Sequence, residues 1–135
     1  MAKISSVKYT APGVQLALLI LRIGAGLMII NHGLPKIAHF SQLAPHFANP
    51  LYIGTYASLV LVLFAEIVCG ILLVFGLFTR WASIPLIIEM LVLVFLVHHA
   101  HEFSEQELAV HFLIAFIVIL ILGPGKISLD GLISR

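Results

Sequence analysis

The sequence predicts an all-α integral membrane protein folded as an antiparallel four-helix bundle. Hydrophobic residues make up 61% of the chain and charged residues only 10%, against roughly 45–50% and 25% in soluble domains. The apolar residues form four long stretches, at about residues 12–34, 50–76, 81–100 and 104–122. Each stretch is close to the roughly 20 residues that cross a bilayer, and short loops favour neighbouring helices of opposite direction. We therefore expect one membrane domain over residues 1–135.

The first stretch has the features of a retained membrane span. Thr10 suits an N-cap and Pro12 suits the first helical turn, while Pro35 cannot continue the hydrogen-bond ladder and predicts the end of the helix. A cleaved signal peptide would carry a small-residue cleavage site and no charge in its apolar centre. This stretch has no evident cleavage site and holds Arg22 in its middle, so we expect it to remain in the protein.

Turn and capping residues separate the remaining three spans. Asn49-Pro50 has the pattern of a cap followed by proline at the first helical position, and Gly76-Leu77-Phe78-Thr79-Arg80 is typical of a tight turn. Ser104 and Glu107 have the spacing of a capping box, which predicts the start of the fourth span. Gly123-Pro124-Gly125 then ends that span.

The distribution of Lys and Arg predicts the orientation of the spans. One side of the predicted bundle carries most of these residues, namely Lys3, Lys8, Arg80, Lys126 and Arg135. The other side carries only Lys36, so both termini are expected to be cytoplasmic. The formal net charge of +1 provides no basic patch for a nucleic acid, and the single Cys69 excludes an intrachain disulfide.

Three charged residues, Arg22, Glu66 and Glu89, lie inside three different apolar stretches. A charge at the centre of a membrane helix costs about 3 kcal/mol on insertion scales, so such residues usually pair and often mark functional sites. Counting 1.5 Å per residue from the predicted span ends gives the three side chains compatible depths. We expect Arg22 to pair with Glu66 and the second carboxyl, Glu89, to carry a labile proton. The alternative is a purely structural ion pair that fixes helix register.

A second group of candidate residues lies near the predicted outer surface. Imidazole and carboxylate groups that converge from several helices can relay protons or bind a ligand. The candidates for ligand or proton binding are His32, Lys36, His98, Glu107 and His111. A metal site would use His98, His101 and Glu102, although the stretch His98-His99-Ala100-His101 also fits a solvated helix end.

Two segments of the chain carry a family resemblance. The first is Glu66 followed by Gly70 and the run Gly76 to Arg80, and the second is Gly123-Pro124-Gly125-Lys126-Ile127-Ser128-Leu129-Asp130. Together with Arg22, Gly33, Lys36 and His98, these segments resemble the DoxX family of small four-helix bacterial inner-membrane proteins. Glu89 and the histidines around His98 do not map onto the family pattern. The resemblance implies links to respiratory or thiol redox complexes, including a relative that forms part of a thiosulfate:quinone oxidoreductase.

The resemblance favours a redox-associated subunit that binds a quinone or similar lipophilic acceptor. Soluble redox proteins that supply electrons and a second copy of the chain are then the candidate protein partners. The sequence contains no metal-ligand motif, no nucleophile with a positioned base and no nucleotide-binding loop, so an unaided enzyme is not expected. Two alternatives stay open, a small proton-coupled transporter or exporter and a non-catalytic scaffold of a membrane complex.

Overall fold

The computed structural model of the chain describes residues 11–47, 49, 51–97 and 103–133. Every regular element among these residues is helical. In chain order they are α1 (Ala11–Ala38), α2 (Phe40–Leu43) with a 3₁₀ turn (Ala44–His46), α3 (Thr55–Phe75), α4 (Thr79–Val92, continued by a π-helical segment Leu93–Val97), α5 (Phe103–Leu122) and α6 (Leu129–Ile133). The all-α prediction is confirmed over the part of the chain that the structure describes.

Three of the helices are long and apolar enough to cross a membrane. These are α1, α3 and the segment Thr79–Leu96 of α4, and the apolar part of α5, Gln106–Leu122, is slightly shorter. Many large apolar side chains on these helices are exposed, among them Ile20, Ile88 and Ile121. A water-soluble domain rarely exposes apolar side chains along the whole length of its helices, whereas a helix that faces lipid does so.

The helix ends differ from the sequence prediction at two places. α1 continues past Pro35 to Ala38, and Lys36 in this last turn forms an ion pair with Glu66 of α3. α3 begins at Thr55, later in the chain than the predicted start. Asn49 Oδ1 accepts hydrogen bonds from the Gly54 amide, at 3.0 Å, and from the Ser58 hydroxyl, at 3.3 Å.

Two glycines set the contact between α1 and α3. A Cβ atom on Gly26 would lie 2.8 Å from Val74 Cγ2 and 3.0 Å from the Gly70 carbonyl oxygen. A Cβ atom on Gly33 would lie 2.7 Å from Ile67 Cδ1 and 3.1 Å from Glu66 Cβ. Small residues of this kind let helix backbones approach closely in membranes. The contacts also fix the register, because Gly33 lies at the level of Glu66 and Gly26 at the level of Gly70.

Replacing Gly26 by alanine is expected to destabilise the protein, because the added methyl group overlaps α3 at an already close contact. Overpacking of this kind costs about 1–3 kcal/mol of unfolding free energy. Gly24→Ala is the matched control, since a Cβ at Gly24 meets no atom within 4 Å and alanine is the better helix former. Unfolding in mixed detergent micelles measures both variants, and equal stability of the two would contradict this account of the α1–α3 contact.

The buried interior lies between the four long helices. α1 packs chiefly against α3, and α4 packs chiefly against α5. The fully buried side chains come from all four helices and include Ile29, Leu73, Leu86, Phe116 and Ile119. This apolar interior forms the surroundings of the charged groups described next.

Candidate functional site

The centre of the site is an ion pair between α1 and α3. Lys36 Nζ lies 2.6 Å from Glu66 Oε1 and 2.8 Å from Oε2, so the ammonium group donates to both carboxylate oxygens. The Glu66 side chain is only 3% exposed, whereas the Lys36 side chain is 25% exposed and reaches the carboxylate from the last turn of α1. A cation in the last turn of a helix is also favoured by the helix dipole.

The predicted pair between Arg22 and Glu66 is wrong. Glu66 binds Lys36, and Arg22 Nη1 donates to the Pro124 carbonyl oxygen at 2.6 Å. The physical reason is the register set by the glycines. Arg22 lies about 16 Å along the axis of α1 from Gly33, which is the residue level with Glu66, at 1.5 Å per residue. Depths counted from the predicted span ends do not include this axial offset between α1 and α3.

The backbone around Glu66 is a π-helical segment, Phe64–Cys69, within α3. Such segments are rare and occur mostly as single turns inside α-helices, frequently at functional sites. Here the segment places Ala65, Glu66 and Cys69 in buried positions. The π-helical turn therefore contains the one acidic residue of α3. No pattern in the sequence predicts this turn.

Glu89 of α4 is a second buried carboxyl group at the same level. The residue is 9% exposed, and neither carboxyl oxygen accepts a hydrogen bond from a donor among the described residues, while the Glu66 carboxyl group is close enough to share a proton with it. It lies close enough to Glu66 and Lys36 to interact electrostatically with both. The structure therefore brings together two carboxyl groups and one ammonium group, with Lys36 in the place predicted for Arg22.

A cavity of about 670 Å³ adjoins these charged groups. Its lining is almost entirely apolar and comes from α1, α3, α4, α5 and the segment between α2 and α3. The polar and charged side chains that line it are His32, Lys36, Ser58, Glu66 and Glu89. A mostly apolar cavity with a few convergent polar groups is typical of a small-molecule site, and cavities of roughly 300–1,000 Å³ hold drug-sized ligands.

The other predicted ligand-binding residues are divided by the structure. His32 lines the cavity and contacts the Phe112 ring edge-on, at 5.6 Å between ring centroids. His111 is exposed, with Nδ1 2.9 Å from the Glu107 carbonyl oxygen of its own helix, and neither residue lines the cavity. Ser58 and Phe112 belong to the lining but carried no sequence motif that would have singled them out.

The predicted metal site cannot be placed. His98, His101 and Glu102 lie outside the described residues. Across residues 11–47, 49, 51–97 and 103–133, no group of three His, Cys, Asp or Glu side chains could hold a metal ion.

At the opposite end of the helices, residues 123–130 fold back onto the turn between α3 and α4. Besides the bond from Arg22 to Pro124, the Lys126 amide donates to Gln15 Oε1 at 2.6 Å. The Asp130 carboxylate accepts the amides of Phe78 and Thr79, at 2.8 and 2.9 Å, and so caps the first turn of α4. These contacts join the two segments that carry the family resemblance.

Comparison with known proteins gives one family. The DoxX family model matches residues 17–99, which include Arg22, Lys36, Glu66 and Glu89. An uncharacterized membrane protein of Mycobacterium tuberculosis is 30% identical over 135 aligned positions, covering 85% of this chain and 80% of the relative. No solved structure matches the chain.

Proposed function

The chain belongs to the DoxX family of membrane proteins, and from this premise we propose that it binds a quinone or similar lipophilic acceptor as a redox-associated subunit. The observation that carries the proposal is the buried Glu89 carboxyl group, which lines an apolar cavity beside the Lys36–Glu66 pair and accepts no hydrogen bond from a described donor. A buried acceptor that no donor reaches is costly, so a ligand that donates to it gains affinity.

The residues of the cavity fit the chemistry of a quinone. A quinone takes up electrons and protons on a flat, mostly apolar ring whose oxygens accept hydrogen bonds as carbonyls and donate them as hydroxyls. Lys36, one quarter exposed and already within the cavity, can donate to a ring oxygen. Glu89 can donate a hydrogen bond or a proton to the second ring oxygen. The apolar lining from α3, α4 and α5 would hold the ring itself.

The balance of charge supports a proton on Glu89. The cluster holds two carboxyl groups and the single cation Lys36, which lies within hydrogen-bonding distance of both Glu66 oxygens. A second ionised carboxylate would lie buried without a counterion, and buried groups of this kind neutralise instead. The proposed resting state is therefore one ion pair and one protonated carboxyl group.

The proposed arrangement is an antiparallel four-helix bundle forming a single domain in a bacterial inner membrane. It is supported by the contacts of α1 with α3, in which residue numbers rise along one helix and fall along the other. Lys126 and Arg80 lie at the end of the helices where Arg22 binds Pro124, and Lys36 lies toward the other end. An excess of cations at the first end supports cytoplasmic termini, where soluble redox partners would supply electrons.

Quinone binding tests the proposal directly. We expect the purified protein in lipid nanodiscs to bind a radiolabelled short-chain quinone saturably, and Glu89→Gln to weaken binding at least tenfold. Gln keeps the shape of the side chain and introduces no buried charge, so folding should be retained and can be checked by circular dichroism. Glu107→Gln makes the same chemical change at an exposed position outside the cavity, and it should bind like the wild type.

Two results would contradict the proposal. The first is that wild-type protein retains no more quinone than protein-free nanodiscs. The second is that Glu89→Gln and Glu107→Gln bind quinone equally well. A third pattern would favour the transporter alternative. In it the protein binds no quinone, and it carries out proton-coupled substrate flux into proteoliposomes that Glu89→Gln abolishes.

A further inference from the structure

A second cavity lies at the end of the molecule where residues 123–130 meet the start of α4. It measures about 900 Å³ and is separate from the cavity at Glu66 and Glu89, because the two have no lining residue in common. Its lining includes the side chains of two cations, Arg80 and Lys126, both of which are exposed. Two cations in one cavity at the end of a membrane span are suited to bind an anion.

Neither cation is neutralised within the described structure. The Arg80 guanidinium has one long hydrogen bond, 3.4 Å from Nη2 to the Ile121 carbonyl oxygen, and neither residue forms an ion pair with a described carboxylate. Asp130 also lines the cavity, but its two carboxylate oxygens already accept the amides of Phe78 and Thr79. The cavity therefore carries a net positive charge from side chains that are free to bind.

The chemistry of the two cations indicates the kind of anion. Arg and Lys side chains donate charge-assisted hydrogen bonds to phosphate oxygens, and these bonds are shorter and stronger than those between neutral groups. A phosphate group could therefore bind Arg80 and Lys126 together.

The apolar part of the cavity identifies the kind of phosphate compound. Phe78, Trp81 and Ile133 line it and are 58%, 76% and 71% exposed. Exposed aromatic residues near span ends lie at the level of lipid headgroups, and the volume is far larger than a free phosphate ion requires. We propose that this cavity binds an anionic phospholipid, with the headgroup phosphate between Arg80 and Lys126.

Trp81 lines this cavity and is the single tryptophan of the chain, so its fluorescence reports on ligand binding at this site. Titration of the detergent-solubilised protein with dioctanoyl phosphatidylglycerol should shift the Trp81 emission saturably. Dioctanoyl phosphatidylcholine, which has the same chains but a zwitterionic headgroup, should bind at least tenfold more weakly. Equal responses to the two lipids would overturn the proposal, as would competition by inorganic phosphate at the same concentrations as phosphatidylglycerol.

Variants test the two cations separately. Arg80→Gln and Lys126→Gln should each weaken phosphatidylglycerol binding about fivefold, the effect of one basic residue near an anionic surface, and Lys126→Arg should bind like the wild type. Unchanged phosphatidylglycerol affinity in a folded double variant, Arg80→Gln with Lys126→Gln, would overturn the assignment.

Discussion

Replacing Lys36 by methionine is expected to lower the unfolding free energy by about 3–5 kcal/mol, the usual cost of leaving a buried charge without its partner. Glu66 is the residue left behind, with a side chain that is only 3% exposed and has Lys36 as its bonding partner. Methionine matches the length and apolar stem of lysine, so the loss reports on the charge and not on a cavity. Unfolding of the purified protein in mixed micelles measures the change.

Two further variants make this prediction specific to the ion pair. Glu66→Met should cost less than Lys36→Met, because the partly exposed Lys36 can turn its ammonium group toward the membrane surface when Glu66 is absent. The double variant should recover most of the stability lost in Lys36→Met, since it removes both charges together. A double variant as unstable as Lys36→Met would show that the two residues do not act as a pair.

The same double variant separates a structural role from a functional one. If the pair had only a structural role, Lys36→Met with Glu66→Met would recover most of the stability and would also keep its affinity for quinone. The proposed function requires a different result, in which stability is recovered and quinone binding is not, because Lys36 donates to the ligand. The two roles therefore predict different outcomes for one protein.

Composition and hydropathy predicted the helices but not the register between them. The length of an apolar stretch indicates that a helix spans the membrane and limits the depth of its residues to within about a turn or two. The partner of Glu66 depends on a finer quantity, the axial offset of α1 against α3. That offset is set by the close contacts of Gly26 and Gly33. Such contacts have no signature in a hydropathy profile, so Arg22 was predicted where Lys36 lies.

The location of the site was easier to predict than its partners. A charge inside an apolar stretch is visible in the sequence, and Glu66 and Glu89 were found in this way. The cavity beside them is lined by residues that look like any other membrane residues, including Ser58 and Phe112. Likewise, Asp130 caps α4 through backbone amides that lie 51 and 52 positions away in the chain, and an amide carries no residue-specific signal.

Gly76 is the residue at which the two motif segments meet most closely. Its φ is +69°, in the left-handed region, and its carbonyl oxygen accepts the Asp130 amide at 2.8 Å. A Cβ at this position would overlap Ser128 Cβ and would lie 3.0 Å from Arg22 Cζ. Both the backbone conformation and the space around it therefore favour glycine.

Gly76→Ala is expected to lower the unfolding free energy by about 2–4 kcal/mol, from the left-handed conformation and the overlap together. Ser128→Gly removes the closest overlapping atom and also the hydroxyl that bonds Gly125 and Gly131, so Ser128→Gly alone is the reference for the double variant. In that background Gly76→Ala should cost less than in the wild type, because the overlap is gone and only the conformational part remains. Thermal unfolding followed by circular dichroism measures these variants. Wild-type stability of Gly76→Ala would show that residues 123–130 do not pack against this turn, and Arg22 would then lack the Pro124 carbonyl that binds its buried guanidinium.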